Sequence, residues 1–381
     1  MTREERILIS GAGIGGLTAA CALVRAGLDA RVVERAPELL SVGAGITVQA
    51  NAMVALRRLG LDAAVLAEGG QLGLSQILRD DGLVLASTSL DGLEREVGAP
   101  SIAIHRARLQ RVLLDALGRE RVELGADVTR FEADDAGVAV RLADGRRLDG
   151  ALLIGADGLR SAVRAQLHGD EEPSYAGYTT WRGVAEDPGL APGQAGEMWG
   201  RGRRFGFVGI GFGEVYWFSV IDAPAGGRDS PGRVRADLLE RFSDFGGPAR
   251  KLLEATDEAA IVRTDIADRP PLARWGEGRV TLLGDAAHPM TPNLGQGGCQ
   301  AIEDAVVLAE CLAGASDGEA GLRAYEDRRA ERAHWFVAQS RSVGKIAQAS
   351  GSVSCWLRNT AFRLAPRRLL ERQIISAQRF P

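Results

Sequence analysis

The sequence predicts an α/β protein: a parallel sheet flanked by helices, an α+β unit interleaved with it, and helices at the C-terminus. Within residues 7–34 an apolar strand enters a glycine turn, a helix leaves it, and a second strand ends in a carboxylate. Two later apolar runs, 151–157 and 279–285, also end in an acid beside a glycine. From 174 to 266 the chain changes to short segments rich in aromatic and β-branched residues, the composition of antiparallel strands.

Bulk properties narrow the function classes. A length of 381 residues suggests two or three domains. With 45% hydrophobic and 25% charged residues, the chain suits a globular protein with a sizeable core. The formal net charge of −4 gives no support for a nucleic-acid partner. Cys21, Cys299, Cys311 and Cys355 have no metal-ligand spacing, so neither a metal nor a disulfide framework is expected. No apolar run reaches the ~18 residues of a membrane span. Residues 1–6 lead straight into the first strand, leaving no room for a signal peptide, so a cytoplasmic location is expected.

In the first unit, Gly11-Ala-Gly13-Ile-Gly15-Gly16 matches a dinucleotide fingerprint. Gly11 makes the tight turn, Gly13 lets the backbone approach a pyrophosphate, and Gly16 lets the helix pack close to the strand. Phosphates then lie on free N–H groups at the helix start. Glu34 follows roughly 20 residues on, where the ribose of an adenosine belongs. The turn alone leaves NAD and FAD both open. Small residues at 43–45 predict a loop that a flat group can approach, followed by a helix over 51–59. Asp80-Asp81-Gly82 predicts a hairpin between 76–79 and 83–87. Arg106 opens a helix at a strand-to-helix corner, where its cation could reach a cofactor. Alternating segments at 128–133 and 137–142 predict a meander, and the strand ending at Asp157-Gly158 returns to the parallel sheet.

The second unit is expected to have strands at 178–184, 196–199, 204–210 and 214–221, with helices at 233–242 and 249–255. Gly209, Gly211 and Gly213 lead into a strand, so they mark a turn and not a second fingerprint. After the strand ending at Asp285, Pro292 and Gly295-Gln-Gly-Gly-Cys299 open another helix, a second anion site. Two such sites on one extended ligand suit FAD better than NAD. A charged helix follows at 321–341, then one basic amphipathic helix at 355–379. That last helix is expected to pack on the body with a solvated face of Arg358, Arg363, Arg367, Arg368 and Arg372; no membrane partner is expected. The expected divisions are 1–172 and 271–345 for the nucleotide domain, 173–270 for the substrate domain, and 346–381 for the C-terminal helices.

In order and spacing, Gly11–Gly16 with Glu34, Asp157-Gly158 with Arg160-Ser161, and Gly284-Asp285 with Pro292 to Cys299 resemble the class A flavoprotein monooxygenases. Within these para-hydroxybenzoate hydroxylase-like enzymes, the urate hydroxylase, zeaxanthin epoxidase and salicylate hydroxylase branches look closest. The resemblance implies a Rossmann-like FAD-binding domain with an interleaved α+β substrate domain. It implies one non-covalent FAD, a visiting NADH or NADPH, and O₂ as cosubstrate. A small electron-rich aromatic or heteroaromatic compound would be hydroxylated or epoxidised through a flavin C4a-hydroperoxide, by a monomer or homodimer. The cofactor residues it implies are Gly11, Gly13, Gly15, Gly16, Glu34, Arg35, Gly45, Thr47, Arg106, Val128, Asp157, Asp285, Pro292, Gly295, Gln296, Gly297, Gly298 and Cys299. Arg204 and Tyr216 match an arginine and a tyrosine that engage the substrate in urate hydroxylase. Thr180 and Asn293 replace that enzyme's asparagine and aspartate, and losing the carboxylate argues against urate itself. His288, next to Pro289, is read as structural. A halogenase is disfavoured because Trp181 is followed by Arg182-Gly183. An NAD-dependent dehydrogenase and a Baeyer–Villiger-type oxygenase are the competing readings.

Overall fold

The computed structural model describes residues 6–39 and 44–380; the expected loop residue Gly43 lies outside them. Its central sheet is parallel throughout, in the order Val280–Leu282, Leu152–Gly155, Ile7–Ser10, Ala30–Glu34, Val122–Leu124. Ile7–Ser10 and Leu152–Gly155 are buried at every position, as strands covered on both faces must be. The N-terminal strand lies mid-sheet and the chain winds outward on both sides of it. The carboxyl ends of the three strands around it therefore open one crevice, where ligands bind in such folds. Helices Ile14–Arg25 and Gly297–Gly314 start at that crevice. The meander Val128–Asp134, Gly137–Leu142, Arg147–Gly150 packs beside the sheet.

A seven-stranded sheet forms the second layer, in the order Val262–Asp268, Ser174–Glu186, Glu214–Asp222, Arg203–Gly209, Gln194–Trp199, Leu74–Arg79, Val84–Ser89. Its last two strands are the Asp80-Asp81-Gly82 hairpin. They join by parallel pairing of Leu74–Arg79 with Gln194–Trp199, although they precede residue 173. Side chains alternate across a sheet, so each strand contributes to two faces. One face carries Trp181, Phe205, Phe207, Trp217 and Ile221 against Leu238, Phe242, Leu252 and Leu253 of two helices. Burying each such side chain contributes about 1.5–3 kcal/mol. The opposite face carries Tyr178, Thr180, Arg182, Arg204, Tyr216 and Phe218, and it is polar. A small sheet, Gly45–Val48, Ile102–His105, Gly69–Gln71, lies between the two layers.

The chain then forms one long helix, Gly318–Ala347, and two short ones, Ser352–Leu364 and Arg367–Gln378. The single basic helix expected at 355–379 is thus broken. Pro366 has no N–H to give and pushes Ala365 out of helical geometry, to φ −60° and ψ 129°. The expected solvated arginine face is kept at Arg363 and Arg372, which are exposed, but not at Arg358. Arg358 is buried and donates to the carbonyls of Ala347 and Gly200, and the side chains of Arg367 and Arg368 lie outside the described residues.

Candidate functional site

Backbone sterics dictate the first glycine turn. Gly11 has φ +106°, and a Cβ there would lie 2.5 Å from the Ala156 carbonyl oxygen. At Gly16 a Cβ would lie 1.9 Å from the Gly11 oxygen, so only glycine lets this helix approach its strand. Gly15 meets the late loop: a Cβ would lie 2.9 Å from Leu283 and 3.1 Å from Ala301. Gly13 differs, with no atom within 4 Å of where its Cβ would be. The helix behind it has no side-chain cap, so its first N–H groups face that space. Glu34 accepts from the N–H of Ala12 at 2.7 Å and of Ala36 at 3.0 Å, which holds its carboxylate at the mouth of the turn. Arg35 beside it is exposed.

Asp157 braces the neighbouring loop. Its Oδ2 accepts from Ala162 at 2.8 Å and Val163 at 3.3 Å, capping the helix Ala162–His168. Its Oδ1 is buried without a partner, and burial raises the carboxyl above its ordinary pKa. Arg164 on that helix donates to the carbonyls of Ala286 and Ala287 and so ties the second motif to the third. Val128 is a core residue of the meander, its side chain buried in the main core.

The late turn is built from side chains. Helix Gly297–Gly314 also starts without a side-chain cap, after Pro292–Leu294 and a left-handed Gly295 at φ +63°. Gln296 and Cys299, expected at the cofactor, instead turn inward. Gln296 donates to Gln49 at 2.9 Å and Asn51 at 3.2 Å, and Asn51 donates back at 3.0 Å. The Cys299 thiol receives the Gln49 N–H at 3.4 Å and lies 3.5 Å from the Thr47 carbonyl oxygen; burial pushes its pKa up to about 12. What these residues leave for a ligand is their backbone N–H groups. Asp285 is exposed on the crevice with Gly297 against it. Surrounding protein raises its carboxyl pKa, countered by the charges of His288 and Arg106. Arg106 is exposed at the start of its helix, close enough for that effect.

Behind this turn lies a buried charged cluster. His288 contacts Asp304 at 2.6 Å, Asp304 accepts from Arg329 at 2.7 Å, and Arg329 donates to Glu303 at 2.6 Å. Burial pushes the Asp304 pKa up, but His288 and Arg329 overcome it and hold the carboxyl down to about 2. Glu303 also accepts from Asn51 at 2.6 Å, which joins the cluster to Gln296. His288 is fully enclosed here and does not face the crevice.

Across the crevice stands the polar sheet face. Arg204 is only 2% exposed, and each of its nitrogens donates to a protein group: Gln348 at 2.7 Å, Glu197 at 2.8 Å and Asn293 at 2.9 Å. Asn293 donates in turn to Tyr178 and Thr291, both at 2.9 Å. Tyr216 packs on Gly45, where a Cβ would fall 2.4 Å from its own. The packing of Tyr216 alone requires glycine at position 45. Burial raises the Tyr216 pKa, and the charge of Arg182 opposes it. The Phe218 ring covers Gly206, with a Cβ there only 2.1 Å from the ring.

The family model described as FAD binding domain matches residues 4–340. The chain is 51% identical over 359 residues to the aurachin C monooxygenase/isomerase of Stigmatella aurantiaca, covering 94% of each. The chain belongs to the class A FAD-dependent monooxygenases. It is 36% identical over 375 residues to the 2-heptyl-3-hydroxy-4(1H)-quinolone synthase of Pseudomonas aeruginosa, covering 94% of each. HpxO of Klebsiella pneumoniae, solved with FAD and uric acid, superposes with a TM-score of 0.92 at 35% identity, over 98% of this chain and 96% of that one.

FAD is the cofactor, and the crevice fits it. Two uncapped helix starts, open space at Gly13, a carboxylate at Glu34 and another at Asp285 suit a long ligand with a central pyrophosphate. On the polar sheet face the enzyme carries residues that the sequence reading passed over: Tyr178, Arg182, Glu197, Phe218 and, from the long helix's C-terminal edge, Gln348. Tyr178, Arg182 and Phe218 share the two-residue period of Thr180 and Tyr216, so alternation alone would have found them.

Proposed function

We propose that the enzyme uses NAD(P)H and O₂ to add one oxygen to an electron-rich nitrogen heterocycle of the 4-quinolone type, bound between the FAD crevice and the polar sheet face. Bound FAD supplies the electron transfer from NAD(P)H and the activation of O₂. The observation that carries the reading is Arg182. It is half-buried on the substrate face, its Nε donates to Thr180 at 3.3 Å, and among the described residues no carboxylate pairs with it. Arg204, by contrast, has its charge taken by Glu197.

Oxygen transfer to a ring carbon is easier when the ring carries the negative charge of a deprotonated hydroxyl. A fixed cation where that charge develops lowers the barrier. Arg182 supplies it, and Thr180 orients the guanidinium. Tyr216, a phenol that burial only makes less acidic, carries its proton at neutral pH and donates a hydrogen bond to the substrate oxygen. Arg204 acts as a positioning residue, holding the Asn293 amide against Tyr178. A quinolone suits this face better than urate does. The ring faces of Tyr178 and Phe218 and the amide of Asn293 offer apolar area and neutral hydrogen bonds, and an alkylated quinolone is what one relative's name records.

The test is NAD(P)H oxidation with 4-quinolones, phenols and purines, with product mass checked for one added oxygen. Arg182→Met should lower kcat/KM for the oxygenated compound by roughly 10²–10³, about 2.7–4 kcal/mol, with FAD still bound. Turnover of urate but of no quinolone would overturn the substrate assignment. A wild-type rate in the variant would remove Arg182 from the site.

A further inference from the structure

Helix Ser352–Leu364 is packed inside out. Its inner face is Cys355, Arg358 and Phe362: Arg358 bonds the carbonyls of Ala347 and Gly200, and Phe362 meets Trp199 edge-on at 5.0 Å. Its outer face is the apolar one. Val353 is 71% exposed, Trp356 64%, Leu357 55% and Leu364 77%. Steps of three, one and seven residues put these four on a single stripe of an α-helix, about 100° wide. Among the described residues, six of the twelve exposed large apolar side chains fall between Trp335 and Leu364. A soluble surface scatters such residues singly, whereas a contiguous group marks a contact.

Charge identifies the contact. Residues 332–370 contain seven Lys or Arg and no Asp or Glu. Arg332 and Arg341 are taken up by Glu303 and Asp268, and Arg358 by carbonyls. Lys345 and Arg363 stay exposed with no carboxylate partner among the described residues, and Arg201 is held at the helix start by Ser350 and Ser352. An apolar stripe with an exposed tryptophan, flanked by arginine and lysine, is the composition of a helix lying in a lipid interface. No helix among the described residues is long and apolar enough to cross a membrane, so the contact is with the surface.

We propose that Val353, Trp356, Leu357 and Leu364 dock the enzyme on an anionic bilayer. The inner face of the same helix is tied to Gly200 and Ala347, next to Arg204 and its partner Gln348. Docking there sets the polar sheet face beside the lipid boundary, where a lipophilic substrate is concentrated. The sequence points away from a membrane partner on the premise of a packed apolar face; with Arg358 buried, the apolar stripe lies outside instead.

Sedimentation of the FAD-loaded full chain with vesicles tests this without any turnover, so it succeeds or fails separately from the substrate assignment. Wild type should pellet with phosphatidylcholine–phosphatidylglycerol vesicles, far less with phosphatidylcholine alone, and less as salt is raised. The Trp356→Ser/Leu357→Ser double variant should lower the partition at least tenfold, and Arg363→Glu severalfold, both with an unchanged flavin spectrum. Wild type left in the supernatant, or a double variant that pellets equally well, would overturn the proposal. So would a wild-type dimer in light scattering that the double variant splits, because a second copy would then cover the ridge.

Discussion

The two glycine turns that open the crevice end in the same device, an uncapped helix start aimed at an anion, but they are held in different ways. At Gly11–Gly16 the backbone is its own constraint: the turn closes on Ala156 and the helix on Gly11, at distances no side chain tolerates. At Gly295–Cys299 a lattice of side chains does the holding, from Gln49, Asn51, Gln296 and Glu303 to Arg329. The first turn should therefore break at single atoms, and the second should break where charge is removed from behind it.

The largest effect is expected behind the late turn. Glu303→Leu leaves Arg332 with the Ala377 carbonyl but no carboxylate, and leaves the fully enclosed Arg329 with Asp304 as its only carboxylate among the described residues. Breaking a buried pair in this way typically costs about 3–5 kcal/mol. A fall of that size in the unfolding free energy from urea titration, with loss of bound FAD, is the expected result, and a near-neutral variant would show that the lattice does not hold the turn. Next comes Gly16→Ala, whose added methyl must displace backbone. A cost at or above the ~1–3 kcal/mol of ordinary overpacking should appear in the melting temperature. The smallest effect on stability, and the most discriminating, is Gly13→Ala. With nothing within 4 Å of the new methyl, thermal stability should stay within about 0.5 kcal/mol while FAD affinity falls. Equal loss of stability and affinity would mean that Gly13 serves the fold and not the ligand.

The same contrast explains what could be read from sequence. The first turn was legible because its constraints are local: Gly11 and Gly16 answer to each other and to one adjacent strand. The antiparallel face was legible through its period of two, which would also have reached Tyr178, Arg182 and Phe218. The packing that requires glycine at 45 was not legible, because Tyr216 comes from a distant strand. Gln296 and Cys299 belong to a glycine-rich segment, yet their side chains serve Gln49, Asn51 and Thr47, which no spacing announces. Hairpin Leu74–Ser89 was visible as a hairpin, but its pairing with Gln194–Trp199 is a tertiary fact. Pro366 was in plain view, and its rule against helix continuation would have split the last helix. The burial of Arg358 was not, since an arginine goes inside only where unpaired carbonyls such as those of Ala347 and Gly200 await it.

The order of strands in the parallel sheet also bears on how the protein is made. Of its five strands the earliest in sequence, Ile7–Ser10, sits in the middle, and the latest, Val280–Leu282, lies at an edge. Until synthesis has passed Cys299, the nascent chain has only one of the two uncapped helix starts that open the crevice. The crevice is therefore complete only once the strand Val280–Leu282 and the turn after it are in place, and a half-built crevice leaves apolar surface exposed to aggregation.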